Sequence, residues 1–87
     1  MAIFQSSAAA PVAFAGTPTF SIPFEPKTIT LVNESNVFAS AVEFSLDGVN
    51  VHGKLIPTVN GSIELFQHVQ NVWLRGAAVS VQIIAQS

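Results

Sequence analysis

Pro11, Pro18, Pro23 and Pro26 cut the first 26 residues into pieces that can sustain neither a long helix nor an interior strand. Ala8, Ala9, Ala10, Val12, Phe14, Phe20, Ile22 and Phe24 make the same stretch too apolar for a solvated linker. Such a segment has to bury its side chains against the rest of the chain, a neighbouring copy or a larger assembly. We read residues 1–26 as an extended apolar arm and residues 27–87 as the globular domain. Truncation of residues 1–24 is then expected to leave a folded domain that associates weakly.

Ala13-Phe14-Ala15 before Gly16 has the small-x-small look of a signal-peptide cleavage site. No Lys or Arg follows Met1, however, and Gln5, Ser6, Ser7 and Pro11 interrupt the apolar region, so the segment is expected to stay in place. No run approaches the roughly 18–20 apolar residues of a membrane-spanning helix, and no membrane partner is expected.

At 87 residues the chain is one small domain, near the size where a single core is only marginally sufficient. It has no cysteine, which removes disulfides and thiolate metal sites as added support. Charged residues make up 9% of the chain, against about 25% in ordinary soluble domains. A surface so poor in charge suits association, and a homo-oligomer or assembly-bound chain is expected. Lys27, Lys54 and Arg75 are the only basic residues besides the histidines and lie far apart in a chain of net charge −2, so nucleic acid is not an expected partner.

After Pro26 the pattern becomes that of an all-β domain, with short β-branched runs separated by turn residues. Residues 27–32 alternate in period two, with Ile29 and Leu31 on one face, and Asn33-Glu34-Ser35-Asn36 ends the strand with side chains that bond their own backbone. Over residues 37–46, Phe38, Val42, Phe44 and Leu46 form the core face, while Ala39, Ala41, Glu43 and Ser45 form the other. Asp47-Gly48 predicts a tight hairpin into Val49-Asn50-Val51-His52, and Asn60-Gly61 a second turn before residues 62–66. Further strands are expected over residues 69–75 and 79–85. About six strands in so short a chain predict a small β-sandwich or jelly-roll-like domain. Ser6 to Ala10 is the one place where a helical turn fits.

His52 and His68 are the only histidines, with Glu43, Asp47 and Glu64 as carboxylates that could join them. Their spacing lacks the His-x-His or His-x-x-x-His pairing that would bring ligands together, so no metal or cofactor is expected. There is no Gly-x-Ser-x-Gly elbow and no glycine-rich phosphate loop, and no catalytic residue is assigned. Asn33-Glu34-Ser35 and Asn60-Gly61-Ser62 match the glycosylation acceptor pattern but read as turns. Trp73-Leu74-Arg75-Gly76 is the segment of most interest in the globular part. If Val72 and Leu74 face the core, Trp73 and Arg75 share the opposite face, where Trp–Arg stacking could anchor a contact. Otherwise Trp73 caps an edge or lies under the arm. The residues expected to carry interactions are Phe4, Phe14, Phe20, Ile22, Phe24, Trp73 and Arg75.

From Lys27 onward the order of motifs resembles that of small β-sandwich virion proteins of tailed bacteriophages. The matching residues are Thr28 to Val32, Asn33 to Asn36, Asp47-Gly48, Pro57 to Ser62, Val72 to Gly76 and Val79 to Ile83, over about the last two thirds of the chain. The Pro57-to-Gly61 loop departs from that pattern, being longer than the usual Pro-Gly run. The resemblance implies a non-enzymatic structural protein located in the virion and assembled in the host cytoplasm. Its expected role is a capsid decoration or cement protein, with the major capsid protein or other virion proteins as partners. The alternative is a receptor- or glycan-binding module of a tail fibre or spike, marked by Trp73 beside Asn71 and Arg75. No family site residue carries over, because adhesion in such proteins is spread over surfaces.

Overall fold

The computed structural model describes residues 2–37, 39–57, 59–66, 68–77 and 79–87. Among the described residues eight strands succeed one another: β1 (Ile3–Ala9), β2 (Phe20–Ser21), β3 (Thr28–Asn33), β4 (Val42–Ser45), β5 (Gly53–Leu55), β6 (Ser62–Leu65), β7 (Asn71–Gly76) and β8 (Ser80–Gln86). They form two four-stranded antiparallel sheets, ordered β1-β8-β3-β6 and β2-β7-β4-β5. The all-β sandwich expected from the residue pattern is the architecture observed.

The strand order has a simple logic. β1 pairs with β8, β2 with β7, β3 with β6 and β4 with β5, so the chain is one long hairpin folded at the β4–β5 connection. Rolling that hairpin places alternate strand pairs in opposite sheets, and β3–β8 and β4–β7 pairing then closes each sheet. This nested connectivity is that of an eight-stranded jelly roll.

Period-two alternation explains which faces meet. Ile29 and Leu31 of β3, Val42 and Phe44 of β4, Leu55 of β5, Val72 and Leu74 of β7, and Val81, Ile83 and Ala85 of β8 are buried between the sheets. Each of the larger side chains contributes about 1.5–3 kcal/mol relative to exposure. Asn33, at the end of β3, and Ser45, at the end of β4, are the buried polar residues among those described. Asn33 ties several segments together. Its Nδ2 donates to Ser40 O (2.8 Å) in the β3–β4 link and to Leu55 O (3.3 Å) in the opposite sheet, while its Oδ1 accepts the Ser35 N–H (3.0 Å). The expected Asx turn is therefore present, and the same amide also ties the two sheets together.

Four expectations need correction. Residues before Pro26 do not form an arm beside the sandwich: β1 and β2 are edge strands of the two sheets, and Ala10, Phe20, Ile22 and Pro26 are buried. The radius of gyration, 11.8 Å, is that of a packed chain of this length, about 12 Å. Ser6 to Ala10 is strand rather than helical turn through Ala9, because alternate Phe4, Ser6 and Ala8 turn inward along β8. Asp47-Gly48 does not close a tight hairpin, since residues 46–52 form a longer loop and β5 begins only at Gly53. Ser45 lies on the predicted outer face, yet it is fully buried because that loop folds over it. Phe38, expected on the core face, lies outside the described residues.

Candidate interaction face

The outer face of the β2-β7-β4-β5 sheet holds the outward-pointing residues of the Trp73 segment. Burial of Val72 and Leu74 turns Trp73 and Arg75 outward together, as the alternation predicted. Antiparallel register sets Glu43 opposite Arg75 and Ser45 opposite Trp73. Arg75 Nε donates to Glu43 Oε1 at 2.8 Å, and its guanidinium carbon lies 4.5 Å from the centroid of the Phe14 ring. The stacking partner is thus Phe14, carried over the sheet by the β1–β2 connection, and not Trp73. Both contacts are half exposed. Each contributes on the order of 1 kcal/mol or less, so they hold geometry more than they hold the fold.

Trp73 is covered by the loop after β4. Gly48 approaches its indole so closely that a Cβ there would lie 2.9 Å from Cε2, and the Gly48 φ of +79° is one that other residues rarely adopt. Asp47 organises this loop. Its Oδ1 accepts the N–H groups of Val49 (2.8 Å) and Asn50 (2.9 Å) and the Ser45 hydroxyl (2.9 Å), while Oδ2 accepts from Asn50 Nδ2 (3.0 Å). These donors, led by the Asn50 and Val49 backbone N–H groups, hold the Asp47 carboxyl well below the usual carboxylate range. Ser45 Oγ in turn accepts the Gly48 N–H (2.9 Å), and His52 Nδ1 accepts the Leu46 N–H (2.9 Å). The loop is a closed hydrogen-bond network with the indole as its floor.

The other expected interaction residues are dispersed. Phe20 and Ile22 are core side chains, each 3% exposed, and so cannot reach a partner; Phe20 in β2 and Ile22 just after it both turn into the core. Phe4 and Phe24 are half-buried against the same core. Only Phe14, Trp73 and Arg75 come together on one outer face. Sequence reasoning missed Glu43 and Phe14 as the partners of Arg75. The Glu43–Arg75 register follows from strand pairing, but no local signal announces a ring delivered from the β1–β2 connection.

The two histidines do not converge. His52 Nε2 lies 4.0 Å from Asp47 Oδ2, and His68 Nδ1 lies 3.1 Å from Glu25 Oε1, so each meets a different carboxylate. Among the described residues no group of three or more His, Asp or Glu side chains is placed to hold a metal ion. The glycosylation-type asparagines are both engaged: Asn33 as above, and Asn60 through Oδ1 to the Ile56 N–H (3.1 Å) and Nδ2 to Lys54 O (3.0 Å). Comparison of the chain with protein-family models, curated proteins and solved structures gives no match.

Proposed function

We propose that this chain is a non-enzymatic structural virion protein, a decoration or cement protein that binds a capsid lattice and neighbouring copies. The observation that carries the reading is the nested eight-strand pairing of a jelly roll in a chain of 87 residues. That architecture recurs in viral capsid and lectin domains, a likeness at the level of the fold. Surface chemistry supports it. Val12, Val49, Val59 and Phe66 are more than two-thirds exposed on a chain with few charges, which favours many small apolar contacts over one concave site. Repetition across a lattice converts such weak contacts into avidity.

Because the N-terminal segment supplies two edge strands of the sandwich and not a free arm, the adhesive surface in this reading is the body of the domain. The Phe14–Arg75–Glu43 face and the exposed valines and Phe66 are its parts. Jelly rolls also serve as lectins, and the glycan-binding alternative rests on Asn71, Trp73 and Arg75 sharing the outer face of β7, where Trp73 is part-exposed beneath the Gly48 loop.

Co-sedimentation with tailed-phage heads stripped of their decoration separates the two. The cement reading expects saturable binding at a fixed ratio to capsid subunits, reduced but not abolished by Trp73→Ala. Absence of head binding, together with glycan binding that Trp73→Ala abolishes, would overturn it in favour of the module.

A further inference from the structure

The four sheet edges of this protein are not alike. β2 is only two residues long between Pro18 and Pro23; β5 is three residues and carries Lys54; β6 is four residues and carries Glu64. Short length, proline and charge are the usual means by which an edge is kept from pairing with another chain. β1 has none of these protections. Its seven residues, Ile-Phe-Gln-Ser-Ser-Ala-Ala, contain no charge and no proline, and they pair with β8 along their whole length without a bulge.

The register shows which backbone groups are left over. Ser87 N donates to Ala2 O (3.0 Å) and Ala10 N donates to Val79 O (3.0 Å), so the even-numbered residues of the segment face β8. Ile3, Gln5, Ser7 and Ala9 therefore direct their N–H and C=O groups away from it, and among the described residues no strand pairs with that side. A row of alternating donors and acceptors of this kind is complementary to an extended strand.

The side chains narrow the identity of that strand. Antiparallel pairing of β1 with itself about a two-fold axis at Ser6 sets Ile3 opposite Ala9 of the other copy, Phe4 opposite Ala8, and Gln5 opposite Ser7. On both faces of the sheet the large residue meets the small one, polar meets polar, and each outward N–H finds a carbonyl. The pairing is isologous and closes on itself.

We propose that two copies of this chain dimerise through β1, joining their sheets into one continuous eight-stranded sheet with β1 beside β1 at its centre. This goes beyond the virion reading and stands without it. The residues that set the register are Gln5 and Ser7, whose exposed side chains and outward N–H groups take no part in the β8 ladder.

The test is sedimentation velocity over a concentration series on the full chain and three variants, with circular dichroism to show that each is folded. Wild type is expected to be a reversible dimer. Ser7→Pro removes an outward N–H without touching the β8 ladder and is expected to yield a folded monomer. Gln5→Lys with Ser7→Lys sets like charges opposite each other twice per dimer and is expected to raise the dissociation constant about tenfold or more. Gln5→Lys with Ser7→Glu sets opposite charges in the same places and is expected to restore the dimer. A wild-type chain that stays monomeric, forms open-ended oligomers, or dimerises equally well with both lysines in place would overturn the proposal. So would a charge-swapped variant no tighter than the double-lysine one.

Discussion

Gly76 is where three segments of the chain meet, and its replacement by alanine is the most demanding single test of this fold. It pairs with Val42 at the start of β4, and its N–H donates to Pro11 O (2.8 Å) in the β1–β2 connection. Its φ of +142° lies outside the range that L side chains adopt readily, a strain of about 1–3 kcal/mol for any other residue. A Cβ would also stand 2.6 Å from Ala41 O and 3.1 Å from Val42 Cα. Those are backbone atoms held in the ladder, so relief requires moving β4, which overpacking data put at about 1–3 kcal/mol. The sum, about 2–6 kcal/mol, compares with a total stability of about 4–13 kcal/mol for a domain of this size. Urea unfolding followed by Trp73 fluorescence is the assay. With a slope of about 1 kcal/mol per molar, the midpoint should fall by at least about 2 M, or the protein should be unfolded in buffer. Gly16→Ala is the control, since nothing lies within 4 Å of its added Cβ, and its midpoint should move by less than about 1 M. Equal midpoints for Gly76→Ala and wild type would refute both the backbone geometry and the crowding argument.

Removal of residues 1–24 should unfold the domain, because it deletes two strands and the buried Ala10, Phe20 and Ile22; a truncated chain with the far-ultraviolet circular dichroism and cooperative melting of the whole would contradict this. The Asp47 network makes a prediction about acid. A carboxyl whose folded value is depressed lends stability that is fully present above its unfolded value, about 3.9, and is lost only as pH falls through the lower folded value. In a carboxyl-detected NMR titration Asp47 should remain ionised at pH of about 3, where an ordinary aspartate is mostly protonated. A midpoint near the ordinary aspartate value would mean that the donors of Val49 and Asn50 are not aimed at it.

Much of the sandwich was legible because strand periodicity is local. β-branched runs with alternate residues buried identified β3, β7 and β8 to within about two residues, and the faces of Ile29, Leu31, Val72 and Leu74 follow from chain geometry alone. β1 was not legible, since Ser and Ala carry little strand preference and become a strand only when β8 offers a ladder. β2 is too short to have a period at all.

What the residues by themselves determined is the all-β class and the inner faces of β3, β7 and β8. Tertiary structure alone decided that the proline-cut segment is part of the sandwich, that Ser45 is sealed under the loop, and that Arg75 rests on Phe14 and Glu43. The reason is physical: alternation is a property of neighbouring residues, whereas burial of an outer face depends on which distant segment passes over it. Phe14 and Arg75 come together only once β1 has paired with β8 and β2 with β7.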